Sequence, residues 1–265
     1  MKRLLCLLLL VLLLTGCAES GPEEPVENNT PTKTVYVHKS ITRSQDSNSS
    51  RTEYVYDDEN WLTDVIISNG EGAQLQRYLV HCDENGNPLE WSSGDGTSIR
   101  YTYDAQGRTL RTDTYSDDTL LTSTEYTWSG SLRVSTTVKT LTLEQRTEYT
   151  YDDKGCMTRQ DLYTGGVLSS YGLFTLDDEG KATLCSTFDA AGNPVAEVRY
   201  EYEPNKESRI TSDLQGAVLQ TQTMIYDDHG NLLENKLTDA NGTVMTETHE
   251  WISIEVPAGT PRASI

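Results

Sequence analysis

The sequence predicts an all-β protein of consecutive antiparallel hairpins, about sixteen strands in one curved sheet that forms a half-barrel or spiral. Three observations carry this: strict alternation of side chains, a recurring turn chemistry and a fixed period. Ile99, Tyr101 and Tyr103 fall on one face of an extended segment, with Ser98, Arg100 and Thr102 on the other. Period-two alternation of this kind marks a strand, and no 3.6-residue periodicity competes with it. The same pattern sets Tyr149 and Tyr151 against Glu148 and Thr150, and Val198, Tyr200 and Tyr202 against Glu197, Arg199 and Glu201.

Each such segment runs into a turn. Asp104 to Gly107 places Asp first and Gly last, as a type I turn followed by a left-handed residue requires. Asp83 to Gly86, Asp152 to Gly155, Asp189 to Gly192 and Asp227 to Gly230 repeat that chemistry. Aromatic strand starts at Tyr54, Tyr78, Tyr101, Tyr126, Tyr149, Tyr171 and Tyr200, then Met224 and Trp251, are spaced by 22 to 29 residues. A unit this short cannot bury its own apolar side, so neighbours must stack. So many strands exceed what stays open without curling. The expected concave side is therefore lined with Tyr, Trp, Leu and Val.

Tyr101-Thr102-Tyr103-Asp104-Ala105-Gln106-Gly107-Arg108 and Tyr149-Thr150-Tyr151-Asp152-Asp153-Lys154-Gly155 resemble the YD repeat of Rhs-type surface proteins. Met224 to Asn231 is a looser copy, and the units at Tyr126 and Tyr200 have lost the Asp or the Gly. The resemblance covers residues 50–252 and implies a sheet that spirals into a shell. This chain is far shorter than such proteins, so their shell-and-cargo role is not expected of it.

At the other end of the chain, Lys2 and Arg3 precede an apolar run from Leu4 to Leu14, and Leu14-Thr15-Gly16-Cys17 closes it. Eleven apolar residues are too few to span a ~30 Å hydrocarbon core as a helix. The segment resembles a bacterial lipoprotein signal with its lipobox; an ordinary secretory signal or an uncleaved membrane segment is the other reading. The resemblance implies cleavage before Cys17, acylation of that thiol, and an extracytoplasmic protein tethered to the cell membrane or envelope surface. The expected organisation is a signal peptide over 1–16 and acylated Cys17 with a Pro/Glu-rich flexible linker over 17–33. A hairpin-repeat domain over 34–254 and a disordered tail over 255–265 complete it.

The chain carries 41 acidic and 21 basic residues, a net charge of −20. Loss of residues 1–16 removes Lys2 and Arg3 and no acid, leaving 19 basic residues and a net charge of −22. Phosphate binding needs basic side chains to displace counterions, so no nucleic-acid partner is expected. Cys82, Cys156 and Cys185 are an odd number without C-x-x-C spacing, which opposes a disulfide framework. His81 and Cys82 are strand neighbours on opposite faces and cannot share a zinc ion.

Candidate binding residues are the paired tyrosines Tyr101, Tyr103, Tyr149, Tyr151, Tyr200 and Tyr202. Their rings serve either as core or as a platform for sugar rings. The acidic pairs at Asp57, Asp117, Asp152, Asp177 and Asp227 fall at hairpin tips. Tips of neighbouring hairpins stand about 9.6 Å apart, too far to close on one calcium ion, so no metal is expected. His38, His81, His229 and His249 lie in different units, and no nucleophile elbow, phosphate loop or His-Glu-x-x-His motif is present. The expectation is a protein that is not an enzyme and has no cofactor. Its membrane contact would be the N-terminal lipid. The reading is a surface binding or adhesion module for a protein or glycan. Cell-wall carbohydrate binding through exposed Tyr and Trp, and a purely structural envelope role, are the alternatives. Oligomeric state is not legible.

Overall fold

The computed structural model describes residues 32–260. The expected signal segment, Cys17 and the expected linker up to residue 31 lie outside the described residues, as do residues 261–265. Eighteen strands follow one another, and no helix occurs among the described residues. They are β1 (Thr32–Gln45), β2 (Asn48–Tyr56), β3 (Leu62–Asn69), β4 (Gln74–Cys82), β5 (Pro88–Ser93) and β6 (Thr97–Tyr103). Next come β7 (Thr109–Ser116), β8 (Thr119–Ser129), β9 (Leu132–Thr140), β10 (Glu144–Tyr151), β11 (Met157–Thr164) and β12 (Val167–Leu176). The last are β13 (Ala182–Asp189), β14 (Pro194–Glu203), β15 (Lys206–Ser212), β16 (Val218–Tyr226), β17 (Leu232–Asp239) and β18 (Val244–Pro257).

Every strand pairs antiparallel with its sequence neighbour, and β1 also pairs with β18, so the meander closes into a barrel. This corrects the open half-barrel or spiral and the count of about sixteen. The physical reason lies in the two terminal strands. They match over thirteen register pairs, from Thr32 opposite Pro257 to Gln45 opposite Met245, which removes both free edges. Bulges supply the curvature. Seven of the eight hairpins that turn at the end of the even-numbered strands carry one. An extra residue on one strand bends it and increases its twist. The hairpin β14–β15 is regular.

The repeat domain begins two residues earlier than expected, at Thr32. The tail expected from residue 255 is strand as far as Pro257, because Val256 is buried with Ile254 and Val37 against Tyr56.

The barrel has two rims. Rim one holds the turns from β2–β3 to β16–β17 together with the start of β1 and the end of β18. Rim two holds the turns from β1–β2 to β17–β18. Tyr54 on β2 and Trp91 on β5 are three strand spacings apart, about 14 Å along the wall. Their ring centroids are nevertheless 6.4 Å apart, which only the concave face allows. That face is the interior. Trp91 also contacts Tyr78 at 6.2 Å and Tyr101 at 5.7 Å, and Tyr101 stacks with Tyr103 at 6.3 Å. Eighteen strands enclose more space than side chains fill, so most inward residues are half-buried and few are fully so.

Not every ring of the repeat turns inward. Tyr171 faces Asp161 and Phe188 on the outer wall, where Arg159 covers it at 4.5 Å, while its neighbour Gly172 takes the inward place. Elsewhere on the outer wall ion pairs alternate with exposed aliphatic residues such as Leu79 and Leu173: Arg77 pairs with Asp64, Arg100 with Glu90, Arg111 with Asp113, and Arg159 with Asp161. Exposed pairs of this kind contribute at most about 1 kcal/mol each.

Candidate functional site

The site is built on the inward residue that each even-numbered strand carries at the level of rim one, at or next to the strand end in all but β18. In the turn itself, Asp104 Oδ1 accepts the backbone N–H of Gln106 at 2.9 Å and of Arg108 at 3.0 Å. Gly107 adopts φ 78°, which a side chain would strain. Asp152, Asp177 and Asp227 close their turns in the same way. The acidic hairpin tips are therefore occupied by their own backbone.

The preceding side chain locks this hairpin to the neighbouring strand. Tyr56 Oη donates to the His38 carbonyl at 2.9 Å, Tyr103 Oη to Pro88 at 2.8 Å, and Tyr151 Oη to Arg133 at 2.7 Å. Trp128 Nε1 donates to Thr109 at 2.9 Å and Trp251 Nε1 to Leu232 at 2.7 Å, while Cys82 Sγ reaches Leu62 at 3.4 Å. The second aromatic of the repeat is thus a backbone latch, a role that hydrophobic alternation does not disclose.

Two tyrosines at this position are not latched. Tyr226 Oη turns to Met224 Sδ at 3.5 Å, and the Tyr202 hydroxyl makes no hydrogen bond among the described residues. Tyr202 is 37% exposed, with Lys181 Nζ 5.8 Å from its ring centre. Between them lies the short β14–β15 turn, in which Glu203 pairs directly with Lys206 and Asn205 takes φ 58°. Its tip is pinned to the next hairpin: the Asn205 carbonyl accepts Tyr226 N–H at 2.8 Å, and Asn205 Nδ2 donates to Asp228 Oδ1 at 2.8 Å. The result is an open cleft of about 400 Å³ on rim one, walled by Tyr202, Tyr226, Glu203, Glu207 and Asp228. That volume is within the range of small-molecule and side-chain pockets.

The cleft is acidic but internally braced. Lys206 pairs with Glu203 at 2.6 Å, and Arg209 with Glu207 at 2.6 Å in a buried contact beneath the floor. Burial, with Glu207 nearby, pushes the Tyr202 phenol up to about 12 and raises Tyr226 in the same direction. Both rings are therefore neutral hydrogen-bond donors at physiological pH. Asp227 is held below the usual carboxylate range: desolvation opposes this, and hydrogen bonds from Asn231 and His229 outweigh it.

Of the six tyrosines singled out from the sequence, only Tyr202 lines this cleft. Tyr200 lies buried below it at 8% exposure, with Arg209 5.6 Å from its ring centre. Tyr101 and Tyr103 belong to the aromatic cluster of the opposite wall. Tyr149 packs with Arg133 at 5.2 Å, and Tyr151 is latched. Tyr226 was legible only as part of the looser repeat beginning at Met224.

Ring closure also joins residues remote in sequence. His38 Nε2 lies 3.1 Å from His249 Nδ1, and His249 Nε2 lies 3.1 Å from Glu247, which Arg43 also contacts. His38 lies tilted against Trp251 at 3.8 Å and stacks on Tyr54 at 5.6 Å. This cluster braces the β1–β18 seam. The His249 imidazole, with Arg43, lowers the Glu247 carboxyl against the penalty of burial.

Solved structures similar to the chain are distant. A crystal structure of TcdB2-TccC3-Cdc42 has 12% identity and a TM-score of 0.37, over 77% of this chain and 15% of that chain. A porin-like protein from Bacteroides uniformis has 10% identity and a TM-score of 0.36, over 81% and 96%. A protein with unknown function from Bacteroides fragilis has 10% identity and a TM-score of 0.25, over 52% and 92%. No curated protein matches. One family does match, over residues 80–234, from β4 to β17. The chain belongs to that family, described as "Uncharacterised protein".

Proposed function

We propose that the chain is a lipid-anchored, non-catalytic binding module at the bacterial envelope, which meets a protein or glycan through the rim-one cleft between Tyr202 and Tyr226. The observation that carries this reading is the exception at Tyr202. Six residues at the equivalent position latch the barrel, whereas this ring stands in an open cleft with its hydroxyl unengaged. An aromatic body with a polar tip is suited to an interface that is partly wet. The YD-like repeat supplies the scaffold, and Cys17 supplies the anchor. Ion pairs at mid-wall support tethering over insertion, because a lipid-facing barrel needs an outward apolar band free of charge. Carbohydrate is the narrower version: two neutral phenol rings beside carboxylates suit stacking on a sugar with hydrogen bonds to its hydroxyls.

Glycan-array and peptidoglycan pull-down binding, with a pull-down for envelope proteins, tests the reading. Tyr202→Ala and Tyr226→Ala should each reduce binding at least tenfold; the exposed Tyr202 should leave the melting temperature nearly unchanged, and the half-buried Tyr226, which contacts Met224, should lower it modestly. Tyr103→Ala should instead destabilise, since it strands a backbone acceptor and opens a hole, by about 3–5 kcal/mol. Cys17→Ala should release the protein from membranes. If Tyr202→Ala binds every ligand as well as the parent, the cleft is not the site and the purely structural role stands.

A further inference from the structure

The inner wall from β2 to β12 carries a single ionised side chain. It is Arg133, at the start of β9 just inside rim one; every other Lys, Arg, Asp and Glu on those strands falls on the outward face of the register. The Arg133 guanidinium carbon lies 5.9 Å from the ring centre of Tyr126 and 5.2 Å from that of Tyr149, so rings from β8 and β10 flank it. It makes no ion pair among the described residues. The carboxylates nearest in register, Glu125 and Glu148, face outward, where Lys139 and Arg146 pair with them. Further round the ring, the other two inward arginines of the strands, Arg43 and Arg209, are held by Glu247 and Glu207. Arg133 alone is left uncompensated.

The same stretch of wall holds two buried polar atoms with no hydrogen-bond partner among the described residues. Thr136 Oγ1 belongs to the register partner of Tyr126, and Gln160 Oε1 to the register partner of Tyr149. Gln160 is only 7% exposed. A buried acceptor without a donor is destabilising, and an apolar side chain of the same shape would serve packing better. Neither atom is explained by the wall alone.

Charge and shape select what would meet this set. One guanidinium supplies one positive charge in a chain whose net charge is −20, which favours a monoanion over a multiply charged phosphate. Its planar fork matches a carboxylate through two parallel hydrogen bonds. The flanking rings offer apolar faces to a carbon skeleton, and Thr136 and Gln160 call for hydroxyls. We infer that Arg133, Tyr126 and Tyr149 form an anion site inside the barrel mouth for a hydroxylated monocarboxylate, that is, a sugar acid. The site lies six strands from the Tyr202 cleft, about 29 Å along the wall, and does not depend on it.

The test uses the full chain carrying Cys17→Ser, titrated with glucuronate at low salt, with affinity read by calorimetry. Arg133→Gln should weaken binding at least tenfold, because it removes a charge-assisted, two-pronged contact. It should leave the melting temperature nearly unchanged, since Tyr151 latches the Arg133 carbonyl and not its side chain. Arg133→Lys keeps the charge, loses the fork and should weaken binding about threefold or more. Glucose, which lacks the carboxylate, and inorganic phosphate, which lacks the skeleton, should each bind at least tenfold more weakly than glucuronate. Tyr202→Ala should leave glucuronate affinity unchanged. No glucuronate binding to the parent, undiminished binding to Arg133→Gln or Arg133→Lys, or equal binding of glucose or phosphate would overturn the inference. Loss of binding on Tyr202→Ala with Arg133→Gln unaffected would place the ligand in the cleft and overturn it too.

Discussion

Alkaline pH is expected to unfold this barrel in one cooperative step, at least one unit above the ordinary phenol value of about 10. Burial raises the phenols of Tyr54, Tyr101 and Tyr200, and neighbouring phenols add to it at Tyr101. A group whose folded value is raised contributes stability that is fully present below its unfolded value, about 10 for tyrosine. That contribution is lost as pH climbs toward the folded value, because the unfolded chain ionises first. Each phenol that stays protonated in the barrel removes about 1.4 kcal/mol of stability per pH unit in that window, so the three together remove about 4. Half-buried partners such as Tyr103 and Tyr126 add to the slope. Absorbance at 295 nm and far-ultraviolet circular dichroism should change together in one cooperative step. Free phenolate titration near pH 10 with an intact β signal would show that the rings are solvated.

Breaking the Glu207–Arg209 pair should be the most damaging single polar substitution. Both side chains are buried inside the barrel beside Tyr200 and Met224. Arg209→Ala leaves a carboxylate with no partner in a poor solvent, which destabilises by about 3–5 kcal/mol. For a domain of this size that corresponds to a fall of roughly 10 °C in melting temperature. The double variant Glu207→Leu/Arg209→Met removes both charges and should recover most of the loss, since an apolar pair of similar volume is often neutral or better. A loss below 1 kcal/mol for Arg209→Ala, measured by thermal melting, would mean that water reaches the pair.

How much of this was legible in the residues follows from the range of each interaction. Strand, turn and period are local, so Tyr101 and Tyr103 reveal their shared face, and Asp104 to Gly107 its turn, within ten residues. Closure is not local: whether the sheet ends in two edges or in a seam depends on a match between residues 32–45 and 245–257. The four histidines seemed scattered for the same reason, because only the seam brings His38 to His249. Latching was hidden because Tyr103 and Tyr202 occupy the same place in the repeat, yet only Tyr103 bonds a neighbouring carbonyl, and the hairpin after Tyr202 lacks the bulge. Their alternation is identical, while their hydrogen bonding is not.

The central claim is that the first and last strands close the ring. Ser44 and Thr246 are register partners on β1 and β18, separated by some two hundred residues of sequence. With all five native cysteines, Cys6, Cys17, Cys82, Cys156 and Cys185, replaced by serine, the pair Ser44→Cys and Thr246→Cys should oxidise to an intramolecular disulfide in dilute solution. Mass spectrometry of the monomer should find that single cross-link, and Ser44→Cys paired with Thr136→Cys on β9 should give none. Failure of the first pair to link within the monomer, or equal linking of the second, would contradict a barrel closed by β1 and β18.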